Sequence, residues 1–105
     1  MDLDLKLVSK EINEIMWREC KTLATAESCT AGRIGSVITA VPGSLNYYKG
    51  GLVCYADEVK ENLLGVDPKV IEEQTPVCEE VVRQMVIGAN KLFNTDYAVA
   101  ISGYA

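Results

Sequence analysis

A serine stands at the end of a short apolar segment, within residues 25–32 (TAESCTAG). The segment Thr22 to Ala26 is small and apolar and contains two threonines, which is typical of a buried β-strand. A helical pattern begins at Thr30. A hydroxyl at such a strand end is exposed and lies beside helix amide groups that can stabilise an oxyanion. These features predict that Ser28 is the nucleophile of a small hydrolase.

The base that would activate this serine must be a lysine, a tyrosine or a carboxylate. The chain contains no histidine, so neither a Ser-His-Asp triad nor a Cys-His pair can form. Tyr55 and Lys60 are the best candidates, because Tyr55 lies near the end of a second predicted strand and Lys60 in the first turn of the following helix. Both also have a structural interpretation, as a half-buried strand tyrosine and a solvated lysine. The sequence does not choose between the two as base.

Other residues near these positions have two interpretations each. Ser28 itself could be a helix cap. Cys29 is a rival nucleophile, but beside a buried strand a cysteine is more often a small core residue. The pair Gly50-Gly51 fits either a close approach to a ligand or a β-bulge, and Ser102-Gly103 fits either a binding loop or an ordinary turn.

Composition and charge narrow the class of protein. The chain has 105 residues, of which 49% are hydrophobic, and a net charge of −5. These values indicate one folded domain. Its ten Lys and Arg residues are scattered, which argues against a nucleic-acid partner. No apolar run approaches the about 20 residues of a membrane span, and the acidic start does not resemble a signal peptide, so we expect a cytoplasmic protein without a membrane partner. Four widely spaced cysteines without histidine predict no metal site.

The pattern of apolar residues predicts strands that alternate with helices. Helices are expected over about 3–20, 30–40 and 79–93. Two further helices are expected, one capped by Asp57 and closed at Gly65, and one that begins at Asp67-Pro68. Strands are expected over 22–26, 45–56 and 97–102. This order predicts an α/β fold, a three-layer α/β/α sandwich around a small mixed or mostly parallel sheet. Ser28, Tyr55 and Ser102 all follow strand ends, where ligands bind in such folds.

Several ordered motifs together resemble the CinA C-terminal-domain family, known for the competence/damage-inducible protein and for nicotinamide mononucleotide deamidases. The resemblance covers about residues 20–105, preceded by an N-terminal helix within 1–21. The matching segments are residues 25–30 (TAESCT), 41–44 (VPGS), 48–51 (YKGG), 55–60 (YADEVK), 63–66 (LLGV) and 100–103 (AISG).

The resemblance implies a serine amidohydrolase that deamidates nicotinamide mononucleotide to nicotinic acid mononucleotide and ammonia, without a cofactor or metal. Ser28 matches the catalytic serine of the family, and Tyr55 and Lys60 match its tyrosine and lysine motif. Substrate contacts are expected from Glu27, Cys29, Thr30, Gly50, Gly51, Ser102 and Gly103. Pyridine nucleotide salvage in the cytoplasm would be the cellular role.

The chain departs from the family pattern at several points. Ala31 replaces a usual glycine, Cys78 stands where a helix-capping serine is common, and Ser102 stands where a threonine is usual. Family members continue through a Gly-Pro-Gly-Gly loop, a strand and a helix that this chain lacks. The alternative function is therefore a catalytically inactive, truncated module that binds a nucleotide or a protein. An open sheet edge would favour a homodimer or higher homo-oligomer.

Overall fold

A computed structural model describes residues 2–104 as helices around a three-stranded sheet. The strand order is β2-β1-β3, and both outer strands run parallel to β1. The predicted α/β fold is thus confirmed. The elements in chain order are α1 (Leu3–Glu19), β1 (Leu23–Glu27), α2 (Arg33–Thr39), β2 (Tyr48–Val53), α3 (Asp57–Leu64), α4 (Pro68–Gln74), α5 (Glu79–Phe93) and β3 (Tyr97–Ile101), with a 3-10 turn at Ser44–Asn46.

The helices cover the two faces of the sheet and so form the outer layers of a three-layer sandwich. Helices α3 and α5 bury one face around Ala26, Leu64 and Met85. Helix α1 and helix α2 bury the other face around Met16, Ile38 and Tyr47. Strand β1 lies between the other two strands and is buried along its whole length. This central strand therefore delivers its carboxyl end, and Ser28 after it, to a fixed place.

The connection between β1 and α2 is longer than the sequence pattern predicted. Helix α2 begins at Arg33 rather than Thr30, because Ala31 and Gly32 adopt left-handed φ values of 52° and 100°. A left-handed alanine costs about 1 kcal/mol, which explains why a glycine is favoured at that position. Ser28 is therefore not the cap of α2, since that position belongs to Gly32.

The start of α3 also differs from the prediction. Asp57 is the first helical residue and Ala56 is the cap, which provides no side-chain hydrogen bond. The expectation that Asp57 caps this helix is wrong, because its carboxylate is bonded to the side chain of Lys60 instead. Asp67 does cap α4, through a bond from the amide of Lys69, with Pro68 at the first helical position. Cys78 occupies the cap position of α5 without a capping hydrogen bond.

The outer edge of β3 is unpaired within residues 2–104. The amide of Tyr97 donates to Thr22, and the carbonyl of Ile101 accepts from Ser28. Since alternate residues of a strand point their backbone groups to opposite sides, Ala98 and Ala100 present theirs to the open edge. Pairing of two copies at this edge stays a prediction. Among the described residues, no helix has both the length and the apolar character needed to cross a membrane.

Candidate active site

The carboxyl ends of the three strands meet at one pocket of about 240 Å³. The chain passes from β1 to β2 on one side of β1 and later to β3 on its other side. The pocket therefore opens where the strand order reverses, which is the usual ligand position in such folds. The three residues predicted to be catalytic all contribute to its wall. The lining residues are Ser28, Tyr55, Asp57, Lys60, Pro76, Ser102, Gly103 and Tyr104.

The backbone around Ser28 is held from both sides. The carbonyl of Glu27 accepts from the amide of Cys54 after β2, with 2.8 Å between nitrogen and oxygen. The amide of Ser28 donates to the carbonyl of Ile101 at the end of β3, at 3.0 Å. The serine is 3% exposed, and its hydroxyl has no hydrogen-bond partner among the described residues. A rigidly placed hydroxyl without a protein partner is available to a bound molecule.

Lys60 is buried, although it lies in the first half of α3. Only 1% of the residue is exposed. Its Nζ donates to the carbonyl oxygen of Tyr55 at 3.2 Å and to Oδ1 of Asp57 at 3.3 Å. A buried ammonium is costly unless such acceptors surround it. The alternative interpretation of Lys60, a solvated lysine, is therefore wrong.

Tyr55 lines the same pocket but lies at its rim. The residue is 61% exposed and lies in the connection between the end of β2 at Val53 and the start of α3 at Asp57. Its carbonyl faces the Lys60 ammonium. Tyr55 thus supplies a backbone acceptor to Lys60 and contributes to the rim of the pocket.

Glu27 is turned away from the pocket, towards α2. Its carboxylate accepts bonds from the Thr30 hydroxyl at 2.6 Å, from the Ile34 amide at 2.8 Å and from the Gly35 amide at 2.9 Å. Burial raises the pKa of this carboxyl, but hydrogen bonds from Thr30, α2 and Gly32 outweigh that effect and leave the pKa below its ordinary value. The buried carboxylate of Glu27 therefore anchors the start of helix α2.

This arrangement corrects the expected source of oxyanion donors. The amides at the start of α2 are already bonded to Glu27, so they are not free for a substrate. The amides of Cys29 and Thr30, which lie nearer to Ser28 in the chain, have no acceptor within residues 2–104. The turn that follows the serine, and not the helix, offers the free donors.

The other expected substrate contacts divide into two groups. Ser102 and Gly103 line the pocket, and the Ser102 hydroxyl donates to the carbonyl of Pro76 at 2.8 Å. Cys29 lies behind this wall, since a Cβ on Gly103 would be 3.0 Å from its sulfur. Thr30 faces Glu27 and an apolar groove beside α1.

Gly50 and Gly51 lie inside β2, paired with Ala24 and Thr25 of β1, and do not line the pocket. Both have a packing reason to be glycine. A Cβ on Gly51 would overlap the Thr25 hydroxyl, and Gly50 has a φ of 146° beside the ring of Phe93. Of the two interpretations of Gly50-Gly51, the structure therefore supports a strand irregularity rather than a close approach to a ligand.

Three pocket residues were missed in the sequence: Asp57, Pro76 and Tyr104. The spacing of Asp57 and Lys60, three residues apart on one helix, was a usable signal, because side chains at that spacing lie on the same face. No comparable signal marked Pro76 or Tyr104, which reach the pocket only through the path of the connecting segments. Within residues 2–104, no three potential metal ligands lie together.

Comparison with known proteins agrees with this architecture. The profile of the CinA C-terminal domain matches residues 5–105. A CinA-like protein of Picosynechococcus sp. is 43% identical over 94 residues, which are 90% of this chain and 22% of the relative. A CinA-like protein of Mycobacterium avium is 49% identical over 85 residues, or 81% of this chain and 20% of the relative. The chain thus spans about a fifth of the length of these relatives.

Solved structures show the same fold. The competence/damage inducible protein CihA from Agrobacterium tumefaciens superimposes with a TM-score of 0.93 at 29% identity, covering 98% of this chain and 64% of that one. A CinA superfamily protein from Escherichia coli also gives a TM-score of 0.93 at 29% identity, covering 95% of this chain and 58% of that one. The match of sequence profile, relatives and fold confirms the resemblance seen in the motifs. The chain belongs to the CinA C-terminal domain family.

Proposed function

We propose that the pocket at the carboxyl ends of the strands is the active site of a serine amidohydrolase. Its substrate is nicotinamide mononucleotide, and its products are nicotinic acid mononucleotide and ammonia. The observation that carries the proposal is the meeting of Ser28, Tyr55 and Lys60 in one pocket, although they come from different parts of the chain. Family membership supports the same reaction.

In the proposed reaction, the Ser28 oxygen attacks the carbon of the nicotinamide carboxamide. The serine proton passes to Lys60 or Tyr55, and the free amides of Cys29 and Thr30 are the candidates for donors to the carbonyl oxygen as it becomes negative. The carbon–nitrogen bond then breaks, and the leaving group takes up a proton to depart as ammonia. Water releases the acyl group from Ser28 as a carboxylate, which restores the serine hydroxyl.

The size and charge of the pocket support a particular orientation of the substrate. Ligand pockets commonly measure about 300–1,000 Å³, so a pocket of about 240 Å³ accommodates the carboxamide ring rather than a whole nucleotide. The ribose phosphate would then lie outside, towards the rim. The Lys60 ammonium is paired with the Asp57 carboxylate at the pocket, so the pocket offers no net positive charge to a phosphate, which agrees with a phosphate that lies outside.

The proposal is tested by ammonia release from nicotinamide mononucleotide, with the acid product identified by chromatography. Wild type is expected to turn over the substrate, and Ser28→Ala is expected to lose at least about 10³-fold in kcat, because the nucleophile is removed. Ser9→Ala is the matched control, since Ser9 is equally buried at 3% exposure but lies in α1. It is expected to keep full activity.

Two results would contradict the proposal. If folded wild type and Ser28→Ala are equally inert, the chain is not this amidase. If calorimetry then shows nucleotide binding without turnover, the chain is the inactive binding module that the sequence also allowed. Equal activity of wild type and Ser28→Ala would instead show that another group is the nucleophile.

A further inference from the structure

We propose that Ser102 is a positioning residue, whose hydrogen bond to Pro76 holds a strained segment closed against the pocket. This segment, residues 75–77, is called the flap. It lies between α4 and α5, and its Pro76 lines the pocket together with Ser102. The inference rests on the proposed amidase function for the identity of the bound molecule, and it adds a residue that controls how tightly that molecule binds.

The strain lies in the backbone of Thr75. This residue has a φ of 124° and a ψ of 161°, a combination that is essentially restricted to glycine. A β-branched side chain makes it less favourable still. The other non-glycine residues with positive φ in the described part of the chain, Cys20, Ala31 and Asn94, have φ between 52° and 54°, within the left-handed helical region. Thr75 is therefore held in a conformation that it would leave if it were free to.

Most hydrogen bonds of the flap are local and move with it. The Thr75 hydroxyl donates to the carbonyl of Val77 at 3.1 Å and accepts from its amide at 3.2 Å. The Thr75 amide donates to the end of α4. Among the described residues, the bond that joins the flap to the end of β3 is the one from the Ser102 hydroxyl to the Pro76 carbonyl, at 2.8 Å. This bond is therefore the fastening of the flap.

The Ser102 bond and the Thr75 strain act in opposite directions. The net contribution of one hydrogen bond and the cost of one residue outside its allowed region are of similar size, so the closed and open positions of the flap differ little in free energy. Loops of low local stability commonly act as lids over bound molecules. Since Pro76 forms part of the pocket wall, the closed flap packs against a bound ring and the open flap does not.

The first experiment measures the Thr75 backbone by NMR, through the three-bond coupling between its amide and α protons, which reports φ. In Ser102→Ala the coupling is expected to rise towards that of an extended residue, because the fastening is lost. Ser102→Thr keeps the hydroxyl and should keep the coupling of wild type. Ser102→Cys, which has only a weak donor, is measured in parallel, so that a folding defect in one variant does not decide the outcome.

Ser9→Ala is the matched control for this measurement. It also removes a serine hydroxyl that donates to a backbone carbonyl, that of Leu5 at 2.7 Å, but this bond lies within α1. The Thr75 coupling should stay unchanged in Ser9→Ala. A change there equal to that in Ser102→Ala would show that the coupling responds to a general loss of stability, which would overturn the role of Ser102.

A pair of variants tests the strain itself. Thr75→Ala and Thr75→Gly both remove the hydroxyl, but only glycine adopts the observed backbone angles without strain. We expect Thr75→Gly to melt about 4–8 °C above Thr75→Ala. The same two substitutions at Glu72, an exposed residue of α4, should give the ordinary order, with glycine the less stable.

Steady-state kinetics with nicotinamide mononucleotide measures the effect on the substrate. Ser102→Ala is expected to raise KM about fivefold, the equivalent of one lost hydrogen bond in the closed flap. It should change kcat by less than about twofold, because no reacting group is removed. Ser102→Thr should restore the KM of wild type.

The outcomes separate this inference from the proposed function. An unchanged coupling in Ser102→Ala and Ser102→Cys, or a Thr75→Gly variant that melts below Thr75→Ala, would overturn the strained flap. If the coupling changes and KM rises, the inference holds. If the coupling changes while KM stays that of wild type, the flap does not contact the substrate and the positioning role is wrong. If wild type shows no turnover, the proposed function fails, and the flap is judged by the coupling and by the Kd for the same nucleotide from calorimetry.

Discussion

The two strand-to-helix connections at the pocket each bury one charged side chain, but they use it differently. Glu27, the last residue of β1, is 2% exposed, and Lys60, in the first half of α3 after β2, is 1% exposed. The carboxylate of Glu27 accepts three bonds of 2.6 to 2.9 Å. The ammonium of Lys60 donates two bonds of 3.2 and 3.3 Å.

The difference indicates that the charge of Glu27 stabilises the fold, whereas the charge of Lys60 belongs to the pocket. Short bonds to a charged group are the stronger ones, and those of Glu27 come from its own loop and from the backbone of α2, so its charge is committed to the fold. The bonds of Lys60 are longer, and its side chain also lines the pocket. We therefore expect substitutions in the first connection to change stability and those in the second to change activity.

The largest expected effect on stability comes from Glu27→Ala. This change leaves the amides of Ile34 and Gly35 without their acceptor, and we expect a loss of about 3 kcal/mol in the free energy of unfolding. Urea denaturation followed by circular dichroism measures it. Glu14→Ala removes an exposed glutamate of α1 and should change stability by less than about 0.5 kcal/mol. Equal losses in the two variants would contradict the anchoring role of Glu27.

A smaller effect is expected when Glu27 is protonated rather than removed. Because its pKa is lowered in the folded chain, its contribution to stability is present above the ordinary glutamate pKa of about 4.3 and is lost as pH falls through the lower, folded value. The difference in unfolding free energy between wild type and Glu27→Gln should therefore shrink as acid is added below about pH 5.

Denaturation series at several pH values measure this difference. The comparison with Glu27→Gln removes the contributions of Glu80 and Asp96, whose pKa values are also lowered by their hydrogen bonds. A difference that stays constant from neutral pH to pH 3 would show that the Glu27 charge does not stabilise the fold.

The smallest effect on stability is expected for Lys60→Met. Removing one partner of an ion pair is costly when it leaves the other charge buried, but the Asp57 side chain is 46% exposed and can be hydrated, so we expect a change within about 1 kcal/mol. Amidase activity should nevertheless be lost, since one of the two candidate bases is removed. Lys49→Met, the same change at an exposed lysine of β2, should alter neither property. A large loss of stability in Lys60→Met alone would make the two connections alike.

Much of the fold was predictable because local patterns encode it. The apolar stripes of α1 and α5 and the cap and proline at Asp67-Pro68 led to element bounds within one or two residues of the observed ones. The turn at Ala31-Gly32 was less predictable, because an alanine gives no signal of a left-handed backbone. The start of α2 was therefore placed three residues too early.

The site was predictable in its members and less so in its contacts. Ser28, Tyr55 and Lys60 could be chosen because residue types and strand ends are visible in the sequence. The direction of the Glu27 side chain and the bond from Lys60 to Asp57 could not be predicted, because a side chain near a helix start has several acceptors or donors within reach. Packing selects among them.

The sequence by itself determined the alternation of strands and helices, the placement of a serine at a strand end, and the lack of a histidine among its 105 residues. Only the tertiary structure decided the strand order β2-β1-β3, the burial of Lys60 and the commitment of Glu27 to α2. The physical reason is the distance along the chain over which each kind of interaction acts. Periodicity and turn chemistry act over a few residues, whereas the partner of a buried charge depends on which distant segments the sheet brings together.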